Sequence, residues 1–246
     1  MSTPTDPTPA TTRIDTARID TARIDTVILD MAGTTVVDDG LVIEAFTRAW
    51  DRQRPAGPEP LRDEAIQWVK DTMGQSKIEV FRHLLPEDEA QSLNVAFEGA
   101  YAELVGEGRS EAIAGAADTI KTLRTDGRKV VLTTGFARPT ADAIIASLGW
   151  DDAVDAVLTP ADAGRGRPFP DLNLLALLRT EAASVHAIAV VGDTVSDVRS
   201  GLAAGAGAVV GVLTGATSAE EFAAAGATAV LDSVADLPAL FRDLNR

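Results

Sequence analysis

The chain has 246 residues, 46% of them hydrophobic and none of them cysteine, with 37 acidic against 22 basic residues and a formal net charge of −15. That length fits one large domain or one domain carrying an insert, and the acidic balance argues against nucleic acid or an anionic membrane surface as a partner, because both need a basic face. The lack of cysteine excludes disulfides, thiolate metal sites and a Cys nucleophile, and two histidines, His83 and His186, make a His-rich metal site unexpected.

In chain order, residues 1–23 hold Thr, Pro and near-copies of "RIDTA" beginning at Arg13, Arg18 and Arg23. A five-residue period fits neither helix nor strand, so this stretch is expected to be a disordered leader. It lacks the hydrophobic stretch of a signal peptide, and no later apolar run approaches the ~20 residues of a membrane span. The cytoplasm is the expected location. The first strand is the apolar run Val27, Ile28 and Leu29, ending at Asp30.

The next segment has no strand pattern. Leu41–Gln53, Leu61–Thr72, Lys77–Leu85 and Glu87–Glu107 read as helices, with Pro55, Pro58 and Pro60 separating the first pair. Such a stretch is too long for an ordinary loop. Buried parallel strands are then expected at Val130–Thr133, Ala156–Leu158, Ala187–Val191 and Ala208–Val212, with a weaker one at Ala229–Leu231. Helices are expected at Ala112–Asp126, Thr140–Leu148, Pro170–Glu181, Ser196–Ala204 and Ala235–Asn245. Alternating strands and helices predict an α/β fold: a doubly wound parallel sheet, with residues 24–39 and 113–246 as the core and 40–112 as an inserted helical cap.

Four polar clusters each follow an apolar strand and so share one edge of the sheet: Asp30–Thr34, Thr133–Gly135, Arg165–Pro168 and Gly192–Asp197. Together they suit a phosphoryl group. A strand-end carboxylate can attack phosphorus, small Thr and Gly residues offer hydroxyls and backbone N–H groups, and an arginine adds a permanent bidentate charge. Carboxylates from two strands suit Mg²⁺.

On these residues the chain resembles the haloacid dehalogenase superfamily of hydrolases, with a Rossmann-like core, and within it the phosphonoacetaldehyde hydrolases, or phosphonatases. "DMAGTT" at Asp30–Thr35 has alanine where the usual superfamily motif has a second aspartate, which is the phosphonatase form. "GRPFP" at Gly166–Pro170 and "GDTVSD" at Gly192–Asp197 also agree, and the resemblance covers Ile24–Arg246. In the cap, Met73-Gly74-Gln75-Ser76-Lys77 matches the Met-Gly-x-x-Lys segment whose lysine forms an imine with the substrate aldehyde.

The resemblance implies Asp30 as nucleophile and Lys77 as imine-forming lysine. Mg²⁺ would be held by Asp30, the Ala32 carbonyl and Asp193, with Asp197 beside or behind it. Ala32, Gly33, Thr34, Met73, Gly74, Thr133, Thr134, Gly135 and Arg167 would contact the substrate, Thr134 being favoured over Thr133 and Arg165 having less support. The chain departs from the phosphonatase pattern at Val80, where a histidine is usual, and at Phe136, where a tyrosine is usual.

The local sequence is consistent with that role for Lys77. Ser76 and Glu79 have capping-box spacing, which places Lys77 at a first helical position, where the helix dipole opposes a cation and favours the neutral amine. Trp50, Trp68 and Trp150 are expected to be packing residues. The expected activity is cleavage of a phosphorus–carbon bond in a small anionic phosphonate. The rivals are hydrolysis of a phosphate ester or acyl phosphate without an imine, and phosphoryl binding without catalysis. A homodimer is compatible with the sequence.

Overall fold

The structure, a computed structural model, describes residues 24–54 and 59–244. The expected leader lies outside them. Six parallel strands form one sheet: β1 (Thr26–Asp30), β2 (Lys129–Thr133), β3 (Ala156–Leu158), β4 (Ile188–Gly192), β5 (Ala208–Val212) and β6 (Ala229–Leu231), in the order β3-β2-β1-β4-β5-β6. β1, β4 and β5 are buried along their whole length. Helices cover both faces of such a sheet, which is why these strands are continuous apolar runs rather than alternating ones.

Before β2 lie α1 (Leu41–Gln53), α2 (Glu59–Asp71), α3 (Lys77–Leu84), α4 (Glu87–Gly106) and α5 (Ala116–Thr125). After it come α6 (Arg138–Leu148), α7 (Pro160–Ala163), α8 (Asp171–Thr180), α9 (Val195–Ala204), α10 (Ala219–Ala225) and α11 (Leu237–Leu244). Short 3₁₀ turns at Val185–Ala187 and Val234–Asp236 precede β4 and α11.

Helices α1 to α4 form the insert. α4 packs on α1 and α3, and it also reaches α6 of the sheet-bearing part. Phe46, Phe81, Phe97, Tyr101 and Phe136 are all buried, with successive ring centroids 4.5–6.3 Å apart, so one aromatic cluster joins the insert to the loop after β2.

The chain enters and leaves the insert through paired backbone. Val36 and Ala112 form an antiparallel bridge, Val37 N–H donates to Glu111 O and Ile113 N–H donates to Thr35 O. This pairing corrects the helix expected from Ala112. Residues 111–113 are extended against the entering strand, and α5 starts at Ala116, after Gly115 turns with a φ of 80°. Two short helices, α7 and α10, were not expected, although both carry capping boxes, Thr159 with Asp162 and Ser218 with Glu221.

β1 lies between β2 and β4, so the chain winds outward in one direction from β1 to β3 and then restarts on the other side at β4. Sheets of this kind bind ligands in the crevice at that reversal, beyond the carboxyl ends of the strands. Asp30 ends β1, and Asp193 follows Gly192 at the end of β4.

Candidate active site

Asp30, Arg167, Asp193 and Asp197 are all buried. Arg167 Nη1 lies 2.5 Å from Asp30 Oδ1 and also bonds Asp197 Oδ1. Each of Asp30, Asp193 and Asp197 offers a carboxylate oxygen within 4.8 Å of the others. Burial pushes the Asp30 carboxyl up to about 7; Arg167 draws it down and Asp197 adds to the rise. Asp193 is raised as well, first by burial and then by Asp30 and Asp197.

Three carboxylates against one guanidinium leave a buried excess of negative charge, which favours binding a cation. The donors are all oxygen, the set that Mg²⁺ takes. The residues present therefore fit the expected metal. Asp197 is the least available of the three, because Arg167 takes its Oδ1 while Oδ2 accepts from the Thr194 N–H (3.1 Å) and hydroxyl (2.5 Å) in the capping box of α9. It holds Arg167 and the helix start in place.

The loop after β1 is folded by its own hydrogen bonds. Gly33 N–H donates to Val36 O, and the Thr34 and Thr35 N–H groups donate to Met31 O. The Thr34 hydroxyl donates to Asp193 Oδ1 at 3.2 Å, so Thr34 orients a carboxylate. Thr133 sits in the sheet ladder opposite Asp30. Gly33, Thr34, Thr133 and Asp197 thus lie one layer behind the cavity.

That cavity is lined by Asp30, Ala32, Met73, Gly74, Lys77, Thr134, Gly135, Arg167 and Asp193, together with Val42, Phe136 and Thr194. It encloses about 20 Å³, roughly the room a single water needs. The insert is closed down on the sheet. A roomier groove of about 550 Å³, lined by Ile120, Lys121, Arg124 and Trp150 among others, holds no carboxylate.

Two glycines allow the closure. Gly74 has a φ of 79°, and a Cβ there would stand 2.3 Å from the Thr194 hydroxyl oxygen. A Cβ on Gly135 would stand 2.4 Å from the Gln75 carbonyl oxygen. Gly135→Ala is therefore expected to push the 73–77 segment off the sheet edge and lower kcat/KM about 100-fold, the usual size of a 1 Å misplacement. Thermal melting should move far less than activity, and an equal loss of both would count against this explanation.

Lys77 is the first residue of α3 and only 5% exposed. Its N–H donates to Gly135 O at 3.3 Å, and its Nζ lies 5.8 Å from the centre of the Phe136 ring. Burial pushes its pKa down from the ordinary 10.5, Arg167 adds to that, and the carboxylates of Asp38, Asp30 and Glu98 oppose it. The expected capping box is not formed. Ser76 is the N-cap residue but makes no side-chain cap bond, and Glu79 pairs with Arg82. Ser76 is instead buried where the segment meets Gly166.

Arg167 Nε is a buried donor with no partner among the described residues. Arg165, by contrast, is exposed, pairs with Asp171 at 2.8 Å and lies over Phe169. His83 stacks on Trp68 with centroids 3.8 Å apart, and His186 is exposed on a 3₁₀ turn. Trp50 and Trp150 are buried packing residues.

Sequence reasoning missed Thr214 and Gly215. The Thr214 hydroxyl donates to Gly33 O at 2.5 Å, and Gly215 lets the loop after β5 press on Asp193. The signal was present: "VLTG" at Val212–Gly215 repeats the strand-Thr-Gly pattern of "VLTTG" at Val131–Gly135.

Buried acids and an arginine thus meet at the reversal point of a parallel sheet beneath a helical insert, where sheets of this kind bind ligands. The chain belongs to the haloacid dehalogenase-like hydrolases, whose family model matches residues 24–205. It is 27% identical to a phosphonoacetaldehyde hydrolase-like protein of Syntrophobacter fumaroxidans, over 89% of this chain and 91% of that one. It is 28% identical to a phosphonoacetaldehyde hydrolase of Parabacteroides distasonis, over 89% and 96% of the two chains. The crystal structure of a phosphonoacetaldehyde hydrolase-like protein from Oleispira antarctica superposes with a TM-score of 0.75 at 26% identity, covering 92% of this chain and 94% of that one.

Proposed function

We propose that this hydrolase cleaves the phosphorus–carbon bond of phosphonoacetaldehyde or a closely related small phosphonate, with Lys77 as a Schiff-base lysine in a cap formed by α1 to α4. The observation that carries this reading is Lys77 itself. It is buried, its pKa is lowered, and it lines the same 20 Å³ cavity as Asp30 and Arg167. Relatives named for phosphonoacetaldehyde hydrolysis support it.

In this reading the neutral Lys77 amine adds to the aldehyde carbon, and loss of water leaves an iminium. Asp30 then attacks phosphorus. The electrons of the P–C bond pass to the iminium, giving an enamine on Lys77 and an aspartyl-phosphate on Asp30. Protonation of the enamine and hydrolysis of the resulting iminium free acetaldehyde and Lys77, and a second water releases phosphate. A carbon departing as an enamine needs no protonation as it leaves, which explains Ala32 in the position of an acid. Arg167, through its unpartnered Nε, and the Thr134 hydroxyl bind phosphoryl oxygens. Asp30, Asp193 and the Ala32 carbonyl would hold Mg²⁺, which supplies positive charge to the phosphoryl oxygens when bound.

Borohydride added during turnover of phosphonoacetaldehyde is expected to fix a reduced adduct on Lys77, located by peptide mass spectrometry. The rate of trapping should rise with pH, because the amine must be neutral, and its midpoint should fall below the ordinary lysine value of 10.5. A phosphatase acting on an ester or acyl phosphate is the second reading, favoured by the apolar Val80 and Phe136 close to Lys77. Rapid ester hydrolysis with no trapped adduct would establish it in place of the first.

A further inference from the structure

A lysine that must react as a neutral amine needs somewhere to send the proton of its ammonium form. The groups nearest in sequence offer nothing. Val80 and Phe136 are buried hydrocarbon, and Ser76 lies against Gly166.

Glu98, on α4, meets the same Gly135–Ala137 segment. The backbone of that segment holds both residues: Gly135 O accepts from the Lys77 N–H at 3.3 Å, and the Ala137 N–H donates to Glu98 Oε1 at 3.1 Å. Glu98 Oε2 is buried and has no hydrogen-bond partner among the described residues. A buried, unpaired carboxylate oxygen is costly to keep unless a function uses it.

Asp38 also faces Lys77, but it has another task. Its carboxylate accepts from the Val42 N–H at 3.0 Å and from the Leu41 N–H, so both bonds hold it at the start of α1, while burial raises its pKa. Glu98 has an oxygen to spare. Of the other charged groups around α4, Arg138 on α6 is bound to Asp162, and Glu44 and Arg48 on α1 pair with each other. Lys77 is the charged group that acts on Glu98, and the two influence each other's protonation. Burial raises the Glu98 pKa, while Thr140, the Ala137 N–H and Lys77 draw it back, so its carboxyl takes a proton more readily than an exposed glutamate.

We infer that Glu98 is the proton-transfer partner of Lys77, directly or through one water, in Schiff-base formation. This inference rests on the Schiff-base reading above. Glu98 takes the proton from the Lys77 ammonium, which leaves the lone pair free to attack the carbonyl carbon. It then returns the proton to the hydroxyl of the tetrahedral adduct. That hydroxyl departs as water, the nitrogen lone pair forms the C=N bond, and Glu98 is again a carboxylate.

Glu98→Gln tests this, since the amide oxygen keeps the bond to the Ala137 N–H while the basic oxygen is lost. Borohydride trapping on Lys77 is expected to slow about 100-fold, the lower range for a lost acid–base group. Binding of beryllium fluoride at Asp30 should be unchanged. Electrostatics alone predicts the opposite: removing a negative charge beside Lys77 favours the neutral amine and quickens trapping below its midpoint. A wild-type or faster rate in Glu98→Gln would overturn the inference and leave the Schiff-base reading standing. No adduct in the unaltered enzyme would overturn both. Glu98→Asp should recover part of the rate, and a Glu98→Asp enzyme as slow as Glu98→Gln would point to a packing role instead.

Discussion

Lys77→Arg is expected to release no measurable phosphate from phosphonoacetaldehyde while still binding beryllium fluoride at Asp30. Arginine keeps the positive charge and much of the length, but a guanidinium does not deprotonate in a protein and cannot condense with an aldehyde. Loss of a covalent catalyst of this kind should lower turnover by roughly four orders of magnitude or more. The proposed phosphoryl site should survive because its parts come from other elements: Asp30 from β1, Thr134 from the loop after β2, and Arg167 from the segment before α8. Arginine is bulkier than lysine in a cavity of 20 Å³, so Lys77→Met provides a control of similar length. It should be equally inactive and no less stable, because it removes a buried ammonium whose burial already lowers its pKa. Phosphate release by Lys77→Met at a tenth of the wild-type rate or faster would exclude an imine at this position.

The parts of this enzyme that were legible in the sequence follow from simple periodicities. A strand covered on both faces must be apolar at every position, so β1, β4 and β5 announced themselves, and the polar residue ending each run marked the sheet edge. That rule places Asp30 and Asp193 at the sheet edge, whereas Arg167, beyond β3 and α7, was legible from the resemblance of its motif. Capping signals were less dependable. Ser76-x-x-Glu79 has the spacing of a capping box and is none, since Ser76 is buried beneath Gly166 and Glu79 turns to Arg82, whereas Ser218-x-x-Glu221, at the start of the short helix α10, is one. A local pattern states what a segment can do alone, and docking against another element overrides it.

Glu98 was illegible for a related reason. Of the other acids on α4, Glu87, Glu89 and Glu103 pair with surface arginines. Nothing in the spacing separates Glu98 from these. Only the packing of α4 against α6 turns it toward the Ala137 N–H and away from water.

Asp30→Asn should pull activity and stability in opposite directions. With the proposed nucleophile removed, turnover should drop by roughly four to six orders of magnitude, and beryllium fluoride should no longer bind. Stability in chelator should rise. At neutral pH the folded protein confines Asp30, Asp193 and Asp197 within a few ångströms, and burial and mutual repulsion raise the first two. An amide at position 30 removes one of the repelling charges, and Arg167 keeps its bond to Asp197, so no cation is stranded. The gain should be on the order of 2 kcal/mol, which is about 4–8 °C in melting temperature for a chain of this size. The sign is also pH-dependent. The Asp30 carboxyl is raised to about 7, so its burden on the native state is full above that pH and fades as pH falls toward the unfolded value near 3.8, where the acid is protonated in both states. The two melting curves should therefore converge between pH 7 and pH 4. Saturating Mg²⁺ should narrow the gap at neutral pH, since the cation offsets the same repulsion in the wild type. If Asp30→Asn melts lower than the wild type in chelator at pH 8, the Arg167 ion pair outweighs the repulsion among the acids, and the carboxylate cluster is a structural staple rather than a strained catalytic site.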